Sequence, residues 1–458
     1  MVPLTLFSLS LLAVSAGAVG GDRTHSHVIK RHVTPSTELE TPSLPIASIT
    51  APIVSRQQRR PSKTHALRSL LASGSTADLF ASDYGFDYLV SLTVGGQQFY
   101  AIADTGSSDT WVPQTGFQCF NLTGVHEPQS ACAFGTTGFN TTRSKTFQAY
   151  PHTKFSIVYG DGEYLEGVAA FETVEVAGLT VTHQEIGVVS QAAWMGDGVN
   201  SGLLGLAYPA LTSVVNSSNH DDPILYDPFF FNAVKQKKVS HPYFSVSLDR
   251  GADGPNSTHK HGTVPHFGYL AFGGIPPVPV TNLSVTLPVQ GYSLSSRLPT
   301  SSSSSSTGYF YYTLPIQGFS INSNKTLLGA NNNTILDTGT TLSLLPSSAA
   351  RAFNAAFRPL AQWDLHTQTY YVPCNATAPS LGVKLGGRVF NTDPRDAVVW
   401  VGKDEKGHDV CVSGVQDAGG DAEDEGLVFI LGDMFLHNVV STFDIGQNRV
   451  TITQRKPY

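Results

Sequence analysis

From Tyr88 onward, apolar and polar residues alternate with period two, the mark of strands that bury one face. Val90, Leu92 and Val94 alternate with Ser91, Thr93 and Gly95, and Phe99-Tyr100-Ala101-Ile102 forms a second apolar run. Phe155 to Tyr159 followed by Gly160-Asp161-Gly162 predicts a hairpin with its tip at the Gly-Asp-Gly. Helical stretches are few and short, around Asp227 to Lys238 and from Ser347 to Ala361 behind Pro346. Val439 to Phe443 and Arg449 to Thr453 close the chain as two strands about a turn at Gly446-Gln447-Asn448. The pattern predicts a mostly β protein.

Within it one tripeptide recurs. Asp104-Thr105-Gly106 returns 233 residues later as Asp337-Thr338-Gly339. Each copy follows an apolar run (Phe99 to Ala103; Ile335-Leu336) and precedes small hydroxyl residues (Ser107-Ser108; Thr340-Thr341). Each also has a proline nine positions after its Asp (Pro113; Pro346). An apolar-apolar-Gly segment follows further on in both cases, Leu203-Leu204-Gly205 and Ile430-Leu431-Gly432. A lone Asp-Thr-Gly would be an ordinary turn. Two copies with matched flanks predict a duplicated lobe, with one carboxylate from each lobe meeting at the junction.

The chain of 458 residues exceeds what one core supports and suits two β lobes, 81–275 and 276–458. Ahead of them we expect a signal peptide at 1–18, with apolar Leu4 to Val14 and a cleavage site at Ala16-Gly17-Ala18, then a pro-segment at 19–80. Val19 to Phe80 holds eight Lys/Arg against four Asp/Glu, whereas the rest holds 20 against 31. A basic leader beside an acidic body is expected to cover an acidic cleft. Its dibasic pairs, Lys30-Arg31 and Arg59-Arg60, suggest processing; Pro61 hinders cutting at the second, which puts the mature terminus between residues 61 and 83. An acidic body without basic runs disfavours nucleic acid as partner. No other segment reaches membrane-spanning length, so no membrane anchor is expected.

Export suits the four cysteines, which fall as one pair per lobe. Pairing Cys119 with Cys132 and Cys374 with Cys411 closes loops that the chain-entropy account values at roughly 3 and 4 kcal/mol. Eight sequons, at Asn121, Asn140, Asn216, Asn256, Asn282, Asn324, Asn332 and Asn375, also fit a secreted glycoprotein. The expected destination is extracellular; a vacuolar one would carry the same signals. Ser295 to Thr307, with six consecutive serines, is expected as a flexible surface insertion, and Asp249 to His261 as a polar loop near the join of the lobes. His259 and His261 there are read as loop residues, so neither metal nor cofactor is expected.

Two carboxyl groups held close in a poorly hydrated cleft cannot both ionise cheaply, so they share one proton over a wide pH range. The ionised partner can take a proton from a water between them, and the protonated one can hydrogen-bond a carbonyl and later protonate the leaving nitrogen. That is peptide hydrolysis without metal or covalent intermediate, favoured in acid. Gly106 and Gly339 would let their amides reach the carboxylates. Ser107 and Thr340 would hydrogen-bond the outer oxygens, and Thr105 and Thr338 would bond across the junction.

The segments Ala103 to Pro113 (Ala-Asp-Thr-Gly-Ser-Ser-Asp-Thr-Trp-Val-Pro) and Leu336 to Thr341 (Leu-Asp-Thr-Gly-Thr-Thr) resemble the paired signatures of pepsin-like aspartic endopeptidases of the secreted fungal type. Gly202 to Pro209 and Phe429 to Phe435 are similar to that family's partner segments, and the likeness runs from about Tyr88 to Thr453. It implies a bilobal β fold with two pseudo-symmetric lobes and a central cleft, zymogen synthesis, a monomer, and inhibition by pepstatin-like peptides. Asp104 and Asp337 match the catalytic pair, Tyr159 the flap tyrosine and Trp111 the tryptophan that hydrogen-bonds it. Gly160 and Asp161 match flap positions that meet substrate, and in similar fungal enzymes an Asp like Asp161 admits Lys at P1. Ile102, Leu203 and Trp194 would line an apolar S1 pocket, and Thr341 belongs to the same substrate-binding set. Protein or peptide substrates with hydrophobic residues around the scissile bond are expected. Asp109 and the long Cys119–Cys132 loop depart from the pepsin pattern. A binding protein that has lost catalysis on this scaffold is the second reading; such relatives lose an Asp, the adjoining Gly or the flap tyrosine, all of which are intact here.

Overall fold

The computed structural model describes residues 87–160, 162–250, 267–294, 306–324, 326–404, 406–421 and 429–458, and ahead of these 13–15, 29–31, 44–47 and 49–52. Strands dominate the described chain, for the reason the alternation gives. Leu89–Val94 pairs antiparallel with Gln97–Asp104, turning at Gly95-Gly96. Val90, Leu92 and Val94 are buried and Ser91 is exposed, so the period of two becomes one packed face and one wet face. Among the described residues, these strands belong to a 12-stranded sheet that forms most of the first half.

The two Asp-Thr-Gly copies sit alike. Gln97–Asp104 ends at the first Asp, and Leu203–Gly205 runs parallel beside it with Gly205 opposite Asp104. In the second half Asn332–Leu336 delivers Asp337, and Ile430-Leu431 runs parallel beside it. Each apolar-apolar-Gly segment is therefore the neighbour of its own Asp strand. One sheet of five strands, one of four and two of three complete the second half among the described residues, one of the last taking in Ile29–Arg31.

A six-stranded sheet joins the halves, in the order Val280–Pro288, Arg449–Arg455, Val439–Asp444, Tyr243–Leu248, Gly268–Phe272, Ile49–Pro52. Strands from both sides of residue 275 share this platform. Phe244 and Phe443 stack across it at 4.8 Å, and Tyr312 packs on Phe443 at 4.5 Å. Its edge strand comes from the N-terminal stretch ahead of residue 87: Ala51 is buried, and Ala47 and Pro45 exchange backbone hydrogen bonds with Ile275 at 2.9 and 2.8 Å. Cys119–Cys132 and Cys374–Cys411 are both disulfide-bonded, one in each half.

The helices are shorter than the pattern predicts. Phe229–Lys235 starts behind Pro228, and Ser347–Asn354 behind Pro346. The second stops well before Ala361 because Pro359 has no amide to donate and its ring disfavours helix at Arg358. Of the serine-rich insertion, Ser306–Gly308 pairs with Tyr292–Leu294, and residues 295–305 lie outside the described residues. The loop at 251–266, with His259 and His261, lies outside them too.

Candidate active site

Both Asp strands end at the junction of the halves, and the chain there turns through Thr-Gly. The Thr105 amide donates to the Thr338 hydroxyl at 3.0 Å, and the Thr338 amide to the Thr105 hydroxyl at 3.1 Å. Each hydroxyl passes its own hydrogen on, Thr105 to the Leu336 carbonyl at 3.0 Å and Thr338 to the Ala103 carbonyl at 2.6 Å. These four bonds lie in a buried junction, so breaking any one leaves an unsatisfied group.

The carboxyls are held symmetrically. Gly106 and Gly339 donate their amides to Asp104 Oδ1 at 2.7 Å and Asp337 Oδ1 at 2.8 Å. The hydroxyls of Ser107 and Thr340 donate to the other oxygens, Thr340 at 2.6 Å. Each glycine lies under the opposite carboxyl: a Cβ on Gly106 would be 2.5 Å from Asp337 Cγ, and one on Gly339 2.6 Å from Asp104 Oδ1. Any larger residue would push the pair apart. Both aspartates are fully buried, each lying against the glycine of the other copy. Burial raises the Asp104 carboxyl well above its ordinary range, and the charge on Asp337 raises it further. Burial raises Asp337 as well. The physical result is a pair that keeps a proton at pH values where free aspartates have lost theirs.

Thr153–Tyr159 and the strand starting at Tyr164 form the expected hairpin, Val158 opposite Tyr164. At its end the Tyr159 hydroxyl accepts a hydrogen bond from Trp111 Nε1 at 2.8 Å. Tyr159 and Trp111 share one buried apolar cluster with Ile102, Leu203 and Trp194. Gly160 is half-buried, and Asp161 lies outside the described residues. Thr341, half-buried, accepts the Met434 amide at 3.2 Å through its carbonyl.

Residues 87–455 match the family model for eukaryotic aspartyl proteases. The chain belongs to that family. This protease is 39% identical to a fungal protein described as a probable aspartic-type endopeptidase, from Aspergillus fumigatus, over 83% of this chain and 81% of the relative. It is 28% identical to rhizopuspepsin of Rhizopus chinensis, over 81% of this chain and 79% of that one. Its fold superposes on the crystal structure of an aspartic proteinase from Irpex lacteus with a TM-score of 0.59, covering 89% of this chain and 97% of the other at 21% identity.

The protease also buries polar groups near the pair that sequence reasoning did not assign. Asp109 is fully buried; it accepts the Tyr226 hydroxyl and the Ser213 amide, the latter at 3.1 Å to each oxygen. Burial pushes its carboxyl up to about 6, the hydrogen bonds notwithstanding. Asp433 carries the acid of Phe429-Ile-Leu-Gly-Asp-Met-Phe435, yet neither carboxyl oxygen meets a hydrogen-bond partner among the described residues. Burial and the charges of Asp337, Asp87 and Asp104 raise it well above the ordinary range. Beyond it, Tyr88 meets His437 Nε2 at 2.5 Å, and His437 Nδ1 meets Asp396 at 3.1 Å. Arg250 grips Asp396 with two bonds, at 2.6 and 2.8 Å. Asp433 had a motif to point to it. Tyr226, Asp396 and Arg250 had none, because their partners are remote in sequence.

Proposed function

We propose that this protease is an acid-active endopeptidase, exported and made as a zymogen, that hydrolyses peptide bonds with a water activated by Asp104 and Asp337. The observation that carries the reading is the pair of buried carboxyls, each above the other copy's glycine and held by matching amide and hydroxyl donors.

In this reading the ionised member accepts a proton from the bound water as its oxygen attacks the peptide carbonyl carbon. The protonated member donates a hydrogen bond to the carbonyl oxygen, stabilising the negative charge that develops on it in the tetrahedral intermediate. Transfer of a proton to the amide nitrogen then lets the C–N bond break, and the pair is left with one proton as before. The glycine amides and the Ser107 and Thr340 hydroxyls keep both carboxyls facing the same point throughout. Activity needs one proton on the pair, so it rises as the doubly protonated form loses a proton and falls once the pair loses its last.

The apolar cluster of Ile102, Trp111, Trp194 and Leu203 beside Tyr159 favours hydrophobic residues next to the scissile bond. Asp161 would add acceptance of Lys at P1; unchanged cleavage after Lys in Asp161→Ala would remove that part. The basic leader, one of whose segments forms the edge of the six-stranded sheet, supports zymogen synthesis. The test is digestion of denatured haemoglobin at acid pH by leader-free protein, with and without pepstatin. Cleavage that pepstatin stops supports the reading; inactivity across the acid range favours the binding protein.

A further inference from the structure

Glu163 is the last residue of the turn between the two flap strands, and its backbone closes that turn by accepting the Tyr159 amide at 2.8 Å. Its side chain goes inward and is 1% exposed. A carboxylate is buried this far only when bonded, and Oε1 accepts the Met195 amide at 2.5 Å. The place of that bond matters. Tyr164 pairs with Ala193 and Leu165 with Ala192, so the regular ladder between the flap and the strand Leu179–Ala193 ends at Tyr164. Glu163 extends the connection past the last rung, with a side chain where backbone pairing has stopped.

The residue placed by this bond is Trp194. Its ring meets Tyr159 at 5.8 Å and Trp111 at 5.1 Å, edge-on in both cases, and stacks on Phe134 at 6.0 Å. At the far end Trp194 Nε1 donates to Asn200 Oδ1 at 3.2 Å, and Asn200 donates to Asp87 at 2.8 Å. Asp197 accepts the Val199 and Asn200 amides, both at 2.7 Å, and shapes the loop between. Trp194 is thus pinned at two points: its indole by Asn200 and the following amide by Glu163. We infer that Glu163 is a specificity-determining positioning residue, which through the Met195 amide holds Trp194 against the flap tyrosine. It thereby fixes the wall on which a large apolar side chain beside the scissile bond packs. This rests on the proposed cleft. Loss of the tether leaves the carboxyl pair untouched and loosens only the wall.

The experiment compares two peptides differing in Phe or Ala at P1, cleaved by the leader-free enzyme and by Glu163→Ala and Glu163→Gln. In Glu163→Ala, KM for the Phe peptide rises about tenfold, the worth of one charge-assisted hydrogen bond, while kcat and the Ala peptide change little. Glu163→Gln restores the preference, because the amide oxygen still accepts from Met195. Asn200→Ala, which frees the other end of Trp194, lowers the same preference and serves if Glu163→Ala does not fold. An unchanged Phe-to-Ala ratio in Glu163→Ala or Asn200→Ala, or a Gln variant as impaired as Ala, overturns the inference. A wild-type enzyme that cleaves neither peptide defeats the proposed cleft instead.

Discussion

Thr105 and Thr338 each donate an amide to the other's hydroxyl, at 3.0 and 3.1 Å, across the junction of the two halves. Neither lobe can shift along the junction without breaking both bonds. Thr338→Ala removes an acceptor and a donor in one change. It is expected to cost about 1–3 kcal/mol of stability and at least about tenfold in kcat/KM, by letting the carboxyls drift. Thr338→Ser should recover most of both. Urea unfolding with parallel kinetics checks this; an alanine variant with wild-type activity would show that the grip does not set the geometry.

Asp104→Asn and Asp337→Asn are nearly isosteric, and each removes one of the two groups that share the proton. Each variant should lose cleavage by at least about a thousandfold while keeping its far-ultraviolet circular dichroism, since the amide still accepts from Gly106 or Gly339. Substantial turnover in either one counts against the pair.

Asp109 ties stability to pH. Burial raises its carboxyl from 3.8 to about 6, so the folded state holds this proton more tightly than the unfolded chain does. Its contribution is complete below pH 3.8 and is lost as pH rises through about 6, up to about 3 kcal/mol in all. Asp433 acts with the same sign. The protease should therefore lose stability between pH 4 and neutrality, and Asp433→Asn should flatten that loss. Melting temperatures from pH 3 to 8 decide it; a wild-type optimum at pH 8 would contradict the sign.

Asp396 acts in the opposite direction. Burial alone would raise it, but hydrogen bonds with His437 and Arg250 outweigh burial and hold it at about 2. This stabilisation is present above pH 3.8 and disappears as pH falls through about 2, worth about 2 kcal/mol. Asp396→Asn should then destabilise the fold at pH 5 and have much less effect at pH 1.5. An equal loss at both would mean that the network acts by packing rather than charge.

The recurrence of Asp-Thr-Gly was enough to foresee two equivalent strands ending at one junction, because each copy carries its flanks with it. The hydrogen bonds of Gly106, Ser107, Gly339 and Thr340 to the carboxyls were legible for the same reason: they are local, spanning two or three residues. The hairpin that ends at Tyr159 followed from alternation and a glycine-rich tip. What the chain alone determined is therefore short-range chemistry and period. Tertiary structure decided whatever joins distant positions: Tyr226 on Asp109, Arg250 and His437 on Asp396, Glu163 on Met195, and the strand Ile49–Pro52 on Gly268–Phe272. A carboxylate or amide shows no trace of its partner in sequence, since any donor at the right place will serve. Only the folded backbone brings that place within reach.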